Sequence, residues 1–167
     1  MNQILYIFGA IVVIGITSRS VNSLWLTKQQ TLYTTEAQIT GNTVAQSLID
    51  EIISKKFDEA SSPDSTLKIS QLTPPKSLGT DAGEKKKDSG TFDDIDDYDN
   101  YHRSVPTPRM GSFDIKCTVY YVADNSPDKK LNAISFLKRI DVKVNNPYLG
   151  TADSSITVSR IVSYRSN

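Results

Sequence analysis

The stretch SFDIKCTVYYV, residues 112–122, decides the fold, because its apolar and polar side chains alternate. The apolar set is Phe113, Ile115, Cys117, Val119 and Tyr121, and the intervening set is Asp114, Lys116, Thr118 and Tyr120. Successive side chains of a β-strand point to opposite faces, so this pattern predicts a strand with one buried face. Cys117 belongs to the apolar set, and we expect it to be a small core residue rather than a nucleophile.

Two further strands are predicted toward the C-terminus. In FLKRIDVKV, residues 136–144, Ile140, Val142 and Val144 alternate with charged side chains, and a third strand is predicted at SITVSRIVSYR, residues 155–165. Turn-forming stretches rich in Asn, Asp and Pro separate the three. Residues 111–167 are therefore predicted to form an antiparallel sheet of about three strands.

An amphipathic helix supplies the cover that the apolar face of such a sheet requires. Its predicted packing residues recur at helical spacing. They are Val44, Leu48, Ile49, Ile52, Ile53 and Phe57. The predicted fold class is α+β, a long N-terminal helix packed on a C-terminal antiparallel sheet.

Small residues recur at every fourth position of this helix, at Ala37, Gly41 and Ala45. Such spacing lets another backbone or a sheet approach closely, and we favour the chain's own sheet over an oligomer seam. Glycine costs about 1 kcal/mol relative to alanine inside a helix. We therefore predict a kink or an interruption at Gly41 and Asn42.

The N-terminal run ILYIFGAIVVIGI, residues 4–16, is uncharged and rises roughly 20 Å as a helix. A bilayer span needs about 20 apolar residues, so spanning requires the hydroxyl residues near Thr17 to be tolerated and Arg19 to extend toward the interface. We favour a membrane or filament-core helix over residues 1–26. Its predicted surface comprises Ile4, Leu5, Ile7, Phe8, Ile11, Val12 and Ile14. A cleaved signal peptide and burial within a soluble protein are the alternatives.

The helix is predicted to continue amphipathically over residues 27–60, and residues 61–110 are predicted to be a variable loop region. This region contains TFDDIDDYDNY, residues 91–101, in which carboxylates repel one another unless they are solvated or neutralised. We favour a solvated acidic loop held by Phe92, Ile95 and Tyr98. Calcium, a hard cation bound by several oxygens, is the alternative, although the spacing is not that of an EF-hand. Its predicted ligands are Asp94, Asp96, Asp97 and Asp99.

Composition argues against several function classes. Lysine plus arginine and aspartate plus glutamate each number 19, so no net field favours a nucleic-acid partner. The single cysteine excludes an internal disulfide, and the single histidine, His102, has no His or Cys near it in sequence. We find no nucleophile with an adjacent base, no phosphate-binding glycine loop and no cofactor motif. We expect a non-enzymatic protein without a cofactor.

Three segments resemble type IV pilins and pseudopilins. They are AQSLIDEIISKKFDEA at residues 45–60, FDDIDDYDNY at residues 92–101, and the sheet strands in their order along the chain. Together they are most similar to the D-type minor pilins of mannose-sensitive haemagglutinin pili. The resemblance implies a structural subunit that initiates or caps a filament, with other pilin-like subunits as partners. It also implies an inner-membrane anchor with the globular part in the periplasm, or a place in a cell-surface filament.

The N-terminus departs from the pilin pattern. Pilins have a basic leader ending in glycine, then Phe or Met, and a Glu at the fifth mature position, whereas residues 1–16 contain no acidic side chain. Arg19 and Lys28 also favour, by the positive-inside rule, a cytoplasmic C-terminal side. Two interpretations remain open: a filament subunit with an altered or trimmed N-terminus, and a single-pass envelope binding protein that does not polymerise.

Overall fold

The computed structural model describes residues 2–61, 68–86 and 88–164, and over these residues it contains one α-helix and five β-strands. The elements are α1 (Asn2–Ile53), β1 (His102–Thr107), β2 (Gly111–Ala123), β3 (Ser126–Lys130), β4 (Leu137–Asn145) and β5 (Ser155–Ser163). The chain divides into two units, residues 1–36 and residues 37–167. The predicted α+β class, with one long helix and a C-terminal antiparallel sheet, is confirmed.

The sheet is antiparallel and its strands lie in the order β1-β2-β4-β5, with β3 paired to the C-terminal end of β2. Cys117 of β2 lies opposite Val142 of β4, which in turn lies opposite Val158 of β5. The three predicted strands correspond to β2, β4 and β5, although Arg165 falls outside the described residues. This register aligns the apolar rows of neighbouring strands on one face.

The estimate of about three strands was too low, because β1 and β3 carry weak strand signals. β1 lies within the region predicted to be a loop and contains Pro106, which is tolerated in edge strands. β3, SPDKK, has no apolar alternation and is separated from β2 by a two-residue turn, Asp124 and Asn125. Both strands depend on hydrogen bonding to β2 more than on apolar burial.

The core lies between the C-terminal part of α1 and the apolar face of β2 and β4. Leu48, Ile49 and Ile52 of the helix are at most 1% exposed. The inward residues of the two strands belong to the same buried cluster: Phe113, Ile115, Cys117, Val119, Ile140, Val142 and Val144. Burying an aliphatic side chain of this size contributes about 1.5–3 kcal/mol, so these rows account for much of the stability. Cys117 is buried, as predicted, and burial raises the pKa of its thiol.

The predicted interruption at Gly41 and Asn42 is wrong, because α1 continues through both residues. A Cβ atom at Gly41 would lie 2.9 Å from Ile156 Cδ1 and 3.3 Å from Leu149 Cδ2. The glycine therefore permits close approach of the sheet unit's own side chains, which is the arrangement favoured for the small residues. Packing at this contact offsets the low helix propensity of glycine.

The helix ends earlier than residue 60, at Ile53. Ile53 is 39% exposed and lies outside the buried stripe, which corrects its predicted packing role. Val44 is half-buried and packs against the core cluster, and Phe57 is buried in the turn that follows the helix. The apolar stripe therefore extends beyond the last helical residue.

Candidate functional site: the apolar helix surface and the acidic segment

The apolar surface of α1 comprises the seven side chains predicted for membrane or assembly contact. Every described side chain from residue 3 to residue 33 is exposed. Among the seven, the exposed fraction runs from 56% at Val12 to 71% at Leu5. The helix is long and apolar enough to cross a membrane, by length and composition. A helix that is apolar on all sides is stable when lipid or other protein covers it.

Two hydroxyl groups that follow this apolar run, those of Thr17 and Ser20, are satisfied by the helix itself. Thr17 Oγ1 donates to the carbonyl oxygens of Val13 and Ile14 at 3.0 Å each, and Ser20 Oγ donates to the carbonyl oxygen of Ile16 at 3.0 Å. Such bonds to the preceding turn lower the cost of placing a hydroxyl in lipid. They are the physical basis for the tolerance that a membrane-spanning α1 requires near Thr17.

The acidic segment, residues 92–99, is largely buried. Phe92, Ile95 and Tyr98 are at most 2% exposed, as predicted. The Phe92 and Tyr98 rings meet edge to face, with centroids 4.9 Å apart. The prediction of a solvated loop is wrong for Asp94, Asp96 and Asp97, which are each at most 3% exposed. Burial of Phe92, Ile95 and Tyr98 therefore also buries the neighbouring carboxylates.

Two of the buried carboxylates accept hydrogen bonds from backbone amides of their own segment. Asp94 Oδ1 accepts from the amides of Asp96 (2.8 Å) and Asp97 (3.3 Å). Asp97 Oδ2 accepts from the amides of Asp93 and Asp94, at 3.1 Å each. Burial, followed by the charge of Asp96, raises the pKa of Asp94 to about 9. Burial and a hydrogen bond with Glu84 raise the pKa of Asp97 to about 6.

Asp99 has a different structural role, at the edge of β2. Its Oδ1 accepts from the Val119 amide at 3.0 Å, next to the bond in which the Cys117 amide donates to the Tyr101 carbonyl at 2.8 Å. The Asp99 side chain thus continues the hydrogen bonding between β1 and β2 on the N-terminal side of His102, the first residue of β1. An edge amide that would otherwise need water is satisfied in this way.

The structure does not bring the four predicted calcium ligands together. Among the described residues, the convergent acidic group is Glu84, Asp93 and Asp97, with one oxygen from each lying within 4.8 Å of the others. Asp97 is shared between the predicted and observed sets. The oxygens of Asp94 and Asp99 are bonded to backbone amides, which competes with metal ligation.

The acidic segment is joined to the end of α1 by backbone and side-chain bonds. The Lys56 amide donates to the Asp93 carbonyl at 3.2 Å, and the Ile95 amide donates to the Lys56 carbonyl at 3.0 Å. Lys55 Nζ donates to the Phe92 carbonyl at 2.6 Å. Because Lys56 follows the last helical turn, its amide and carbonyl are available for these bonds, whereas Lys55 contributes its side chain.

Glu51 adds a third connection, from the last turn of α1. It accepts hydrogen bonds from the Tyr98 hydroxyl at 2.9 Å and from Arg103 at 3.3 Å. Although burial alone would raise the pKa of Glu51, hydrogen bonds from Ser89, Tyr98 and Arg103 lower it. Glu51 is therefore ionised at neutral pH and links the helix to the acidic segment and to β1.

A buried lysine, Lys138 of β4, connects three parts of the fold. Its Nζ lies 2.7 Å from Asp96 Oδ1 and 3.0 Å from Asp58 Oδ2, and it donates to the Phe57 carbonyl at 2.6 Å. The Lys138 side chain is 0% exposed. A buried cation is tolerated when opposite charges and hydrogen bonds surround it, and here both are present.

Lys138 and Asp58 were not predicted as site residues, although the sequence contains one signal for Lys138. Lys138 lies two residues before Ile140, and so has the same strand parity as Ile140, Val142 and Val144. Strand alternation therefore places its side chain on the inward face, opposite Tyr121 of β2. An inward lysine requires an acidic partner, but the sequence contains many carboxylates and does not indicate which one folds against it.

Over the residues that the structure describes, these features define an α+β protein with one candidate membrane-spanning helix and a buried charged cluster around Lys138 of β4. Comparison with family models, with curated proteins and with solved structures finds no match to this chain. The pilin resemblance therefore remains a prediction from the sequence.

Proposed function

We propose that this protein is a structural, minor-pilin-like or pseudopilin-like subunit of a type IV pilus or a type II secretion-like filament. Its role is in filament assembly, initiation or the tip. The observation that carries the proposal is the division of α1 into an exposed apolar part and a part buried on the sheet. An arrangement of this kind suits a protein whose helix contacts a membrane or other subunits while its sheet is displayed.

Energetics favours a covered N-terminal helix. Burial of each large aliphatic side chain is worth about 1.5–3 kcal/mol, and α1 presents many of them to solvent. Gly9 and Gly15 have no atoms near the position of a Cβ, so a neighbouring helix has room to approach there. Association with lipid before assembly, and with other pilin-like subunits after it, would cover this surface at both stages.

The resemblance in residues 45–60 and 92–101 supports a pilin-like filament subunit. It implies a sheet unit in the periplasm or beyond, with α1 in the inner membrane before assembly. This orientation opposes the weak charge bias of Arg19 and Lys28, which concerns only two side chains. We propose no catalytic role and no nucleic-acid partner.

Cell fractionation tests the proposal. A C-terminally tagged chain is separated into sheared surface material, membrane and soluble pools, and the intact mass of each form identifies its N-terminus. We expect recovery in the sheared and membrane pools. A chain confined to the membrane would contradict the filament role, and a soluble form lacking about the first 20 residues would identify a cleaved signal peptide.

A second candidate function is that of a non-polymerising, single-pass envelope binding protein that takes calcium at its acidic segment. The convergence of Glu84, Asp93 and Asp97 favours it. Calcium binding to the native state would raise the melting temperature at millimolar calcium. Asp97→Asn should abolish that shift, whereas Asp153→Asn, at an exposed pair with Lys143, should retain it. The absence of any shift in the unmodified chain would reject this candidate.

A further inference from the structure

Lys138, Asp58 and Asp96 place an amine and two carboxyl groups in direct contact in a site shielded from water. The Lys138 side chain is 0% exposed and those of Asp58 and Asp96 are 1% and 4% exposed. Lys138 Nζ also lies 4.6 Å from the centroid of the Phe57 ring and 5.5 Å from that of Tyr121. An amine, a carboxyl electrophile and a second carboxylate in one dry site are the groups that amide formation requires.

We propose that Lys138 and Asp58 form an intramolecular amide cross-link, with Asp96 transferring the protons. Lys138 Nζ would be the nucleophile and Asp58 Cγ the electrophile. The cross-link is a property of the sheet unit and does not depend on whether the chain polymerises.

The nucleophile has a base beside it. An ammonium group attacks a carbonyl carbon only after it loses a proton, and Asp96 Oδ1 lies 2.7 Å from Nζ. Asp96 also hydrogen-bonds the carboxyl group of Asp94, whose pKa is raised to about 9 by burial and by the charge of Asp96. Asp94 therefore retains its proton at neutral pH. Asp96 then has an uncharged carboxyl group beside it while it accepts and releases the protons of Lys138.

The electrophile is surrounded by donors. Asp58 Oδ2 accepts from the Thr73 amide at 3.1 Å. The Tyr121 hydroxyl lies 3.4 Å from the same oxygen and donates to the Thr73 carbonyl at 2.8 Å. Its Oδ1 accepts from the Thr73 hydroxyl at 3.3 Å and from the Ala60 amide at 3.4 Å. These donors lie where negative charge grows when an amine adds to Cγ. This donor set makes Asp58, rather than Asp96, the carboxyl group that is attacked.

The reaction balances without an oxidant, a reductant or a co-reactant. The bond between Lys138 Nζ and Asp58 Cγ forms, and one Cγ–O bond of Asp58 breaks. The leaving oxygen of Asp58 departs as water. Its two protons come from the Lys138 ammonium group, and Asp96 transfers each of them. Asp96 is a carboxylate both before and after the reaction. The buried ion pair of Lys138 and Asp58 is thereby replaced by a neutral amide, while Asp96 stays ionised and keeps its hydrogen bond with the Asp94 carboxyl group.

The bond would join the segment that follows α1 to strand β4, across 80 residues of sequence. Closing such a loop restricts the unfolded chain in the way that a disulfide does. Any force applied along α1 would then reach the sheet through a covalent bond as well as through packing.

Mass spectrometry of the full chain, extracted in detergent, tests the proposal. We expect an intact mass lower than that of the same chain without the bond by one water molecule. After proteolysis, we also expect one fragment pair that links residue 58 to residue 138. A chain at its full mass, or a loss of water without linked fragments, would overturn the proposal.

Three variants sharpen the result. Lys138→Arg retains a buried cation but has no primary amine, and it should have the full mass. Asp58→Asn would react by releasing ammonia, so its product should have the same mass as the cross-linked parent chain. Asp96→Asn should lose the cross-link. Persistence of the linked fragments in Asp96→Asn would overturn the role of Asp96, and their persistence in Lys138→Arg would overturn the proposal itself.

Discussion

The two parts of α1 differ in their surroundings although they share one secondary structure. Residues 3–33 are exposed throughout, whereas Ala37, Ala45 and Leu48 are each 0% exposed. The exposed part is apolar on all sides over residues 4–16, and the buried part is apolar on one stripe. The distribution of apolar side chains around a helix therefore predicts what packs against it. One apolar stripe is typical of a helix packed on one sheet, and apolar side chains on all sides are typical of a helix surrounded by lipid or by several helices.

Stability must therefore have different sources in the two parts. Most helical stability in proteins comes from tertiary packing rather than from intrinsic propensity. The sheet unit provides that packing for residues 37–53. The first part has no such packing among the described residues and requires a membrane or neighbouring subunits.

The largest effect on the sheet unit is expected from Lys138→Ala. The change leaves Asp58 and Asp96 buried without their cation, and breaking a buried pair in this way costs about 3–5 kcal/mol before any loss of the proposed cross-link is added. Denaturant unfolding of the detergent-solubilised chain, followed through hydrogen exchange of β2 and β4 amides, would measure the loss. Lys143→Ala is the matched control, because Lys143 is on the same strand and pairs with Asp153 at the surface. Equal stability of the two variants would contradict the role of Lys138.

Glycine substitutions compare the two parts of α1 directly. Gly41→Val should destabilise the sheet unit by about 2 kcal/mol, because overpacking forces Ile156 and Leu149 to move. Gly15→Val should leave the sheet unit unchanged, since nothing lies within 4 Å of its Cβ position. The same hydrogen-exchange measurement applies. A comparable loss in both variants would show that the two parts are not stabilised differently.

A pH dependence is expected from the acidic segment. The folded-state pKa of Asp94, raised to about 9 by burial and the charge of Asp96, is above that of an unfolded aspartate, about 3.9. The native state therefore binds the proton more tightly, so this contribution is complete below about pH 4 and is lost as the pH rises toward 9. Asp97, with a pKa raised to about 6 by burial and Glu84, adds to the loss at the acidic end of that range.

Asp94→Asn should remove most of this dependence, because the amide resembles the protonated acid and its oxygen can still accept from the Asp96 amide. At pH 8 we expect the variant to be more stable than the parent chain by on the order of 1 kcal/mol. Asp93→Asn is the control, since a hydrogen bond from Lys56 lowers the pKa of exposed Asp93. Unfolding free energies measured between pH 5 and pH 9 would contradict the account if Asp94→Asn retained the parent's slope.

The fold class could be predicted because its signals are local and periodic. Alternation in residues 112–122 marked β2, and the spacing of Leu48, Ile49 and Ile52 marked the buried stripe. Strands β1 and β3 could not be predicted, because SPDKK and HRSVPT are stabilised at the edge of β2 by backbone pairing that leaves little trace in composition.

The candidate sites were only partly predictable for a similar reason. The apolar surface of residues 4–16 is continuous in sequence, so it was evident without a structure. The Lys138 cluster joins residues 58, 96 and 138, and such partners are chosen by the tertiary fold. The high density of charge predicted a solvated loop, whereas the structure shows that Phe92 and Tyr98 bury the segment and that backbone amides donate to Asp97.

The central claim is that the exposed part of α1 is covered in the cell by lipid or by other subunits, and Val12→Asp tests it most directly. A charge near the centre of a bilayer-spanning helix costs about 2.5–3.5 kcal/mol on insertion scales. The measurement is the amount of tagged chain in the membrane and sheared-surface pools, compared with Val12→Leu. The account predicts loss of Val12→Asp from both pools while its β2 and β4 amides remain protected, and normal recovery of Val12→Asp in either pool would contradict it.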